Sequence, residues 1–170
     1  MRARILITMT YEIKLRDVPE LHVVTEARDV DQAQLMEWLP GAMARVAEAG
    51  PLSAATETWL DRPATPDPVF VVTYEGNPNE GPTEVVVCAP VAAGGDRTLP
   101  AHRELYVRVT KAQVTGGQLG EVYPAIEKAA ADRGLTITAA PREVYWTDFY
   151  AAGDDDPVFD VAFPVASATV

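Results

Sequence analysis

The stretch Ala140-Pro141-Arg142-Glu143-Val144-Tyr145 is followed by the turn Gly153-Asp154-Asp155-Asp156 and then by Pro157-Val158-Phe159-Asp160-Val161-Ala162-Phe163-Pro164-Val165. Two extended runs separated by turn residues read as paired strands, placed at Arg142 to Tyr150 and Val158 to Val165. Working back, Arg103 to Thr110 alternates, with Leu105, Val107 and Val109 on one face and Tyr106 and Arg108 on the other. Between these strands Leu119, Val122, Tyr123 and Ile126 recur at helical spacing, and Gly134 supplies the stop. Pro124 kinks that helix or marks the start of its regular part.

The same order stands earlier in the chain. A strand runs over Tyr11 to Arg16, is broken at Pro19 and resumes over Leu21 to Thr25. A helix marked by Leu39, Ala42, Met43 and Val46 begins near Pro40 and ends at Gly50, with residues 31–38 as a separate turn or an offset segment. Extended segments follow at Thr56 to Asp61, Val69 to Glu75 and Glu84 to Ala92, the last two joined by the turn at residues 77–82. Pro40 precedes Gly50 by ten residues, as Pro124 precedes Gly134. Glu57-Thr58-Trp59 is echoed by Glu143-Val144-Tyr145, and Ala89-Pro90-Val91 by Phe163-Pro164-Val165. The pattern predicts one α+β domain over residues 1–170, built from two strand-helix-strand-strand units at about 10–95 and 100–167. An extra hairpin is expected in the first unit. The strands form an antiparallel sheet with the helices on one face, and the opposite face offers a concave cleft between the halves, a preferred place for a ligand.

Composition narrows the function classes. The chain has 170 residues, 48% of them hydrophobic, and a net charge of −11. No cluster of Lys and Arg is visible to neutralise phosphates, so direct nucleic-acid binding is not expected. The negative balance also argues against anionic membranes, and no long apolar run suggests a span. Cys88 is alone in an apolar run, which excludes an internal disulfide and a thiolate zinc site. His22 and His102 lack ligand-like spacing, and Asp154-Asp155-Asp156 lacks the spaced oxygens of a calcium loop, so no metal or other cofactor is expected. No signal peptide stands out, which points to the cytoplasm. Residues 1–8 read as a tail if the strand-bearing part begins at Met9.

The run 140–165 is similar to the C-terminal signature of GyrI-like effector-binding domains, found in MerR- and AraC-type regulators: a Glu-x-Tyr strand, an acidic turn, and a closing strand ending in Pro-Ile or Pro-Val. Leu99-Pro100 and the strand after it resemble the family's entry into its second half. The resemblance spans about Thr10 to Val165 and implies a ligand pocket between two units, with a glutamate at Glu143 beside Tyr145. In regulator members that glutamate faces lipophilic cations. This chain departs from the family at Lys111 to Gly117, where a His-x-Gly-x-Tyr-like turn is common, and no helix-turn-helix precedes the strand near residue 11.

Glu143 and Tyr145 share a strand face, continued by Thr147 and Phe149, while Val144, Trp146 and Asp148 point the other way. The spacing alone fits a solvated surface glutamate, since exposed Glu is the norm; the resemblance implies the pocket. Other aromatic candidates are Trp38, Trp59, Phe70, Tyr106, Tyr123 and Trp146, each of which also suits a core. Tyr106 is set apart by facing away from its apolar neighbours, and Trp59 by its correspondence with Tyr145.

Three functions follow from the resemblance. The first is binding of amphipathic, cationic or aromatic small molecules by Glu143, Tyr145, Trp146, Tyr106, Trp59, Trp38 and Phe70. The second is hydrolysis of cyclopropane-bearing alkylating compounds, with Glu143 acting on water and Tyr145 or Trp146 holding the substrate. The third is a protein partner, as in members that inhibit DNA gyrase.

Overall fold

A computed structural model describes residues 11–48, 58–62 and 67–167. Among them lie β1 (Lys14–Val18), β2 (Leu21–Val30), α1 (Gln32–Ala47), β3 (Phe70–Tyr74), β4 (Thr83–Val91), β5 (Arg97–Leu99), β6 (His102–Thr110), α2 (Lys111–Thr115), α3 (Leu119–Asp132), β7 (Leu135–Ile137), β8 (Arg142–Tyr145) and β9 (Pro157–Ser167). The strands form one antiparallel sheet in the order β1-β6-β9-β8-β3-β4-β2-β5, with β7 also on β9. The α+β fold is the expected one. Each unit contributes strand, helix, strand, strand: β2-α1-β3-β4 and β6-α3-β8-β9. The units join at the sheet's centre, where β3 pairs with β8 and Phe70 faces Tyr145 and Val72 faces Glu143.

The ends of this order are tied together. Val18 faces His102 and Leu21 faces Leu99, so β1-β2 and β5-β6 keep one register across both breaks. Pro19 and Pro100 stand at those breaks, where a residue without an N–H interrupts the ladder at no cost to a partner. Each long strand therefore serves both units, and the sheet must curl to allow it.

Both long helices pack on one face. Leu35, Trp38, Ala42 and Val46 of α1 cover β2, β3 and β4; Val122, Ile126 and Ala130 of α3 cover β6 and β9. On the other face Val18, Leu21 and Leu99 from the tied ends meet Val71 and Val144 from the middle, which makes that face concave. It is filled by an apolar core with Leu60 and Trp146, and by buried charges described below. No helix among the described residues is long and apolar enough to cross a membrane.

Several boundaries differ from the sequence reading. Helix α1 begins at Gln32, eight residues before Pro40. Its start is fixed by a capping box: Asp31 Oδ1 accepts the Gln34 N–H at 2.9 Å and Gln34 Oε1 accepts the Asp31 N–H at 3.0 Å. Pro40 and Pro124 both sit inside helices, on exposed sides where water can satisfy the carbonyl each leaves free. Asp31→Ala is expected to destabilise the protein by about 1 kcal/mol in urea denaturation, the usual cost of a lost N-cap.

The described part of the expected extended segment at Thr56 to Asp61 is not a strand. Thr58 to Leu60 are helical, and Asp61 leaves the turn at φ +50°. The Leu60 and Asp61 carbonyls accept Arg108 at 2.8 Å, so a side chain rather than a neighbouring strand satisfies them. Among the described residues the first unit has no extra hairpin. Residues 56 and 57, and the expected helix stop at Gly50, lie outside the described residues, as do residues 1–8.

β8 ends at Tyr145 rather than Tyr150. Beyond it the backbone is taken up by side chains: Arg62 donates to the Trp146 carbonyl at 2.8 Å, and Asp67 Oδ2 accepts the Asp148 N–H and the Thr147 hydroxyl, both at 3.0 Å. Thr147 is therefore turned to Asp67 instead of continuing the Glu143 strand face, while Phe149, beyond the strand's end, packs on the same core that Tyr145 touches. Short β5 and β7 carried no readable pattern of their own. Gly134, at φ +67°, closes α3 as expected.

Candidate functional site

β8 is four residues long and lies between β3 of the first unit and β9 of the second. Strand alternation sends Arg142, Val144 and then Trp146 to the concave face, and Glu143 and Tyr145 to the helix-bearing face. Glu143 is thus directed into the junction between the α1 and α3 cores, not into the concave face where the sequence reading put the cleft. Tyr145 packs against both helix cores, and its ring meets Phe159 at 4.7 Å.

The Glu143 side chain is held by phenols. Tyr123 of α3 donates its hydroxyl to Oε1 at 3.1 Å and Tyr145 donates to Oε2 at 2.9 Å. The Tyr74 hydroxyl of β3 interacts with the same carboxylate and with Tyr145. Glu143 is 5% exposed, and among the described residues no cation lies within ion-pair distance of it. Burial pushes its carboxyl above the ordinary carboxylate range, while the hydroxyls of Tyr145, Tyr123 and Tyr74 pull the other way without restoring it. Burial and the nearby Glu143 charge raise all three phenols, so they remain protonated donors. The result is a desolvated carboxylate beside aromatic rings and, among the described residues, stabilised by neutral donors. A carboxylate beside aromatic rings attracts positive charge through both. A carboxyl raised in this way also suits proton transfer.

The other named aromatics divide between the two faces. Phe70 faces Tyr145 across the central ladder, on the Glu143 side. Trp38 is in the same core, but its Nε1 donates to Glu26 Oε2 at 2.8 Å and ties α1 to β2. Tyr106, Trp59 and Trp146 lie on the concave face around a second polar centre. There Arg16 sits between the Tyr106 and Trp59 rings, 3.8 and 4.7 Å from their centroids. It is bound by Glu104 at 2.8 Å and by Asp160 at 2.8 Å. Asp160, fully buried, also accepts Arg108 at 2.9 Å and Trp146 Nε1 at 3.3 Å. Glu104 takes His102 Nε2 at 2.7 Å; burial pushes its carboxyl up, but the His102 hydrogen bond and Arg16 outweigh burial and hold it below the ordinary range. Tyr106 and Arg108 further line a cavity of about 190 Å³ with Lys14 and Asp61. The structure therefore brings Glu143, Tyr145 and Phe70 together, and keeps Trp146, Trp59 and Tyr106 on the opposite side of the sheet.

Tyr74 was not singled out from the sequence, and Tyr123 was noted only as an aromatic candidate; tertiary pairing through β3 and α3 makes them partners of Glu143. Asp160 carried a usable signal, a carboxylate inside an apolar strand. Among the described residues no group of three His, Cys, Asp or Glu side chains is placed to hold a metal ion.

No family model and no curated protein matches the chain. Solved structures do. The crystal structure of the EcmrR C-terminal domain superposes with a TM-score of 0.69 at 22% identity, covering 94% of this chain and 99% of that one. EcmrR in its cryo-EM complex with DNA, in EcmrR-RPo, gives 0.70 at 20% identity, again over 94% of this chain. The chain spans 59% of the length of that EcmrR chain. A putative bacterial transcription regulation protein from Staphylococcus aureus MU50 gives 0.53 at 16% identity, over 92% of this chain and 99% of its own. The protein thus has the fold of the EcmrR C-terminal domain.

Proposed function

We propose that this chain is a small-molecule-binding domain of the effector-sensing, GyrI-like kind, and that its ligand is a lipophilic organic cation received at Glu143. The observation that carries this reading is the Glu143 carboxylate, 5% exposed at the junction of the two units and, among the described residues, held by phenols without a cation. A buried carboxylate is normally paired with a cation, as Glu104 and Asp160 are here by Arg16. Among the described residues Glu143 has no such cation beside it. The likeness to EcmrR and to a transcription regulation protein supports a sensing role, in which the bound cation acts by changing how the two helix-bearing units sit against each other.

The phenols also set the ligand's chemistry. Tyr123 and Tyr145 use two of the carboxylate's about four lone-pair sites, and Tyr74 stands beside it. A primary ammonium, with three donors to satisfy, has too few sites left, whereas a quaternary or delocalised cation needs only the charge and the ring faces. Thermal melts with matched cationic and neutral aromatic compounds test the reading. Quaternary and delocalised cations are expected to raise Tm, neutral isosteres of the same shape to leave it within error, and primary amines to act weakly; equal shifts from cation and isostere reject it.

The raised Glu143 carboxyl beside Tyr145 favours one second reading, hydrolysis of strained, cyclopropane-bearing electrophiles with Glu143 activating water. Mass spectrometry of such compounds after incubation decides it: a hydrated product lost in Glu143→Gln supports turnover, and unchanged substrate excludes it.

A further inference from the structure

Helix α1 carries apolar side chains that its own core does not bury. Met36 is 63% exposed, and Leu39, Met43 and Ala47 are half-buried against the core beneath α1. The four recur at three- and four-residue spacing and so form one stripe along the helix. Two observations give its direction. The first is the opposite flank of α1, where Trp38 Nε1 donates to Glu26 Oε2 at 2.8 Å and Arg45 donates to the same carboxylate at 2.6 and 2.7 Å. Glu26 lies on β2, which β4 separates from β3, so the stripe looks the other way, toward β3 and the second unit. The second is the repeat. Trp38, Ala42 and Val46 are buried in α1 as Val122, Ile126 and Ala130 are in α3, aligned as Pro40 and Pro124 are. Leu39 is therefore the counterpart of Tyr123, which reaches Glu143 at the junction. Met43 corresponds to Glu127, and Met36 to Gly120, beside which there is open space.

We propose that this stripe receives the apolar arm of the organic cation whose charge is held at Glu143, so that the ligand is an amphiphile with one long arm. The inference rests on the Glu143 reading and adds to it the ligand's shape and the residues that select it, Leu39, Met43 and Met36. The two sides of the junction differ in chemistry. On the first-unit side Val72 faces Glu143 across the central ladder, and the stripe on α1 carries no charge. On the α3 side the corresponding positions hold the Tyr123 phenol and the exposed carboxylate of Glu127. A cation with a single arm matches that asymmetry, its charge toward Glu143, Tyr123 and Glu127 and its arm along α1. From Met43 to Met36 the stripe runs about 10 Å, the rise of seven helical residues. Methionine also suits the approach to a closed site. Glu143 is 5% exposed, so a ligand reaches it only past side chains that can move. The unbranched thioether of Met43 repacks readily, turning aside for the arm and closing against it.

Calorimetric titration of the full chain with alkyltrimethylammonium ions, from butyl to decyl and below micelle-forming concentrations, tests this. Each added methylene is expected to tighten binding about two- to fourfold until the arm passes Met36. Met43→Gln keeps the side chain's size and removes its apolar end; it is expected to weaken decyl binding about tenfold more than butyl binding. Met36→Gln alters an exposed side chain, which also serves should Met43→Gln not fold, and is expected to shorten the arm length at which the gain stops. The same change at Ala44, on the solvent side of α1, is expected to leave the series as it was. Butyl ions that bind Glu143→Gln as well as the parent overturn the Glu143 reading and this inference with it. Butyl binding that needs Glu143, with no gain from longer arms or with a gain that survives both methionine variants, overturns this inference alone. Self-association of the chain that Met36→Gln abolishes does so too, because a second copy then covers the stripe.

Discussion

Asp160→Ala is expected to be among the most damaging single substitutions in this chain, lowering stability by about 3–5 kcal/mol. Asp160 is fully buried and accepts Arg16 at 2.8 Å, Arg108 at 2.9 Å and Trp146 at 3.3 Å. Removing it leaves two guanidiniums sharing one remaining carboxylate, Glu104, and an indole N–H without an acceptor. The magnitude comes from that uncompensated charge rather than from the value of the ion pairs, since taking two ions out of water cancels much of their attraction. The structural consequences also spread. Arg108 carries the helical turn at Leu60 and Asp61, while Arg16 on edge strand β1 reaches across β6 to Asp160 on β9. Urea denaturation followed by tryptophan fluorescence measures the loss. A change under 1 kcal/mol would show that the concave face is open to water and the network worth little.

Glu143→Gln is expected to behave in the opposite way, sparing the fold while weakening cation binding. The folded-state carboxyl of Glu143 is raised above its unfolded value, chiefly by burial. Between those two values the native state holds a proton that the unfolded chain has released. Its contribution to stability is therefore fully present below the ordinary carboxylate range and is lost as pH rises through the folded value. Glutamine keeps the shape and cannot titrate. The variant is expected to match the parent at low pH and to equal or exceed its Tm at neutral and higher pH, with a flatter stability profile across that window. Its affinity for an organic cation is expected to fall by about a hundredfold, the size of effect seen when one partner of a buried charge pair is removed. A stability optimum bought at the expense of binding is the usual mark of a functional group placed in a core. Melts from pH 4 to 9 check the first part; a Glu143→Gln protein that is destabilised equally at every pH contradicts it.

Much of this architecture was legible in the chain because the pattern is stated twice. Alternation along β6 and helical spacing in α1 and α3 were readable, as were the terminal glycine of the second helix and the turn before β4. Boundaries were lost where side chains overrode backbone habit. The Asp31–Gln34 capping box starts α1 well before Pro40, which drew the eye as a helix-starting residue. Arg108 and Arg62 satisfy carbonyls around Leu60 and Trp146 that a strand reading had assigned to a ladder. The site was half legible. Strand alternation put Glu143 and Tyr145 together and Trp146 opposite, and both placements hold. The face they point to is a property of how two units share one sheet, which depends on β3 and β8 meeting through strands more than sixty residues apart. The same tertiary step delivers Tyr74 and Tyr123, whose local patterns look like ordinary core residues.

Whether Glu143 is a receptor for positive charge is tested most directly by calorimetric titration of a lipophilic monocation against its neutral isostere at pH 6 and pH 8. Because the cation binds the ionised form of a carboxyl whose value is raised, binding at the lower pH is expected to be weaker and to release protons into the buffer. The isostere is expected to bind far more weakly and without proton release, and Glu143→Gln to lose the difference between the two ligands. Cation and isostere binding with equal affinity, or a preference for the cation that survives Glu143→Gln, would contradict it.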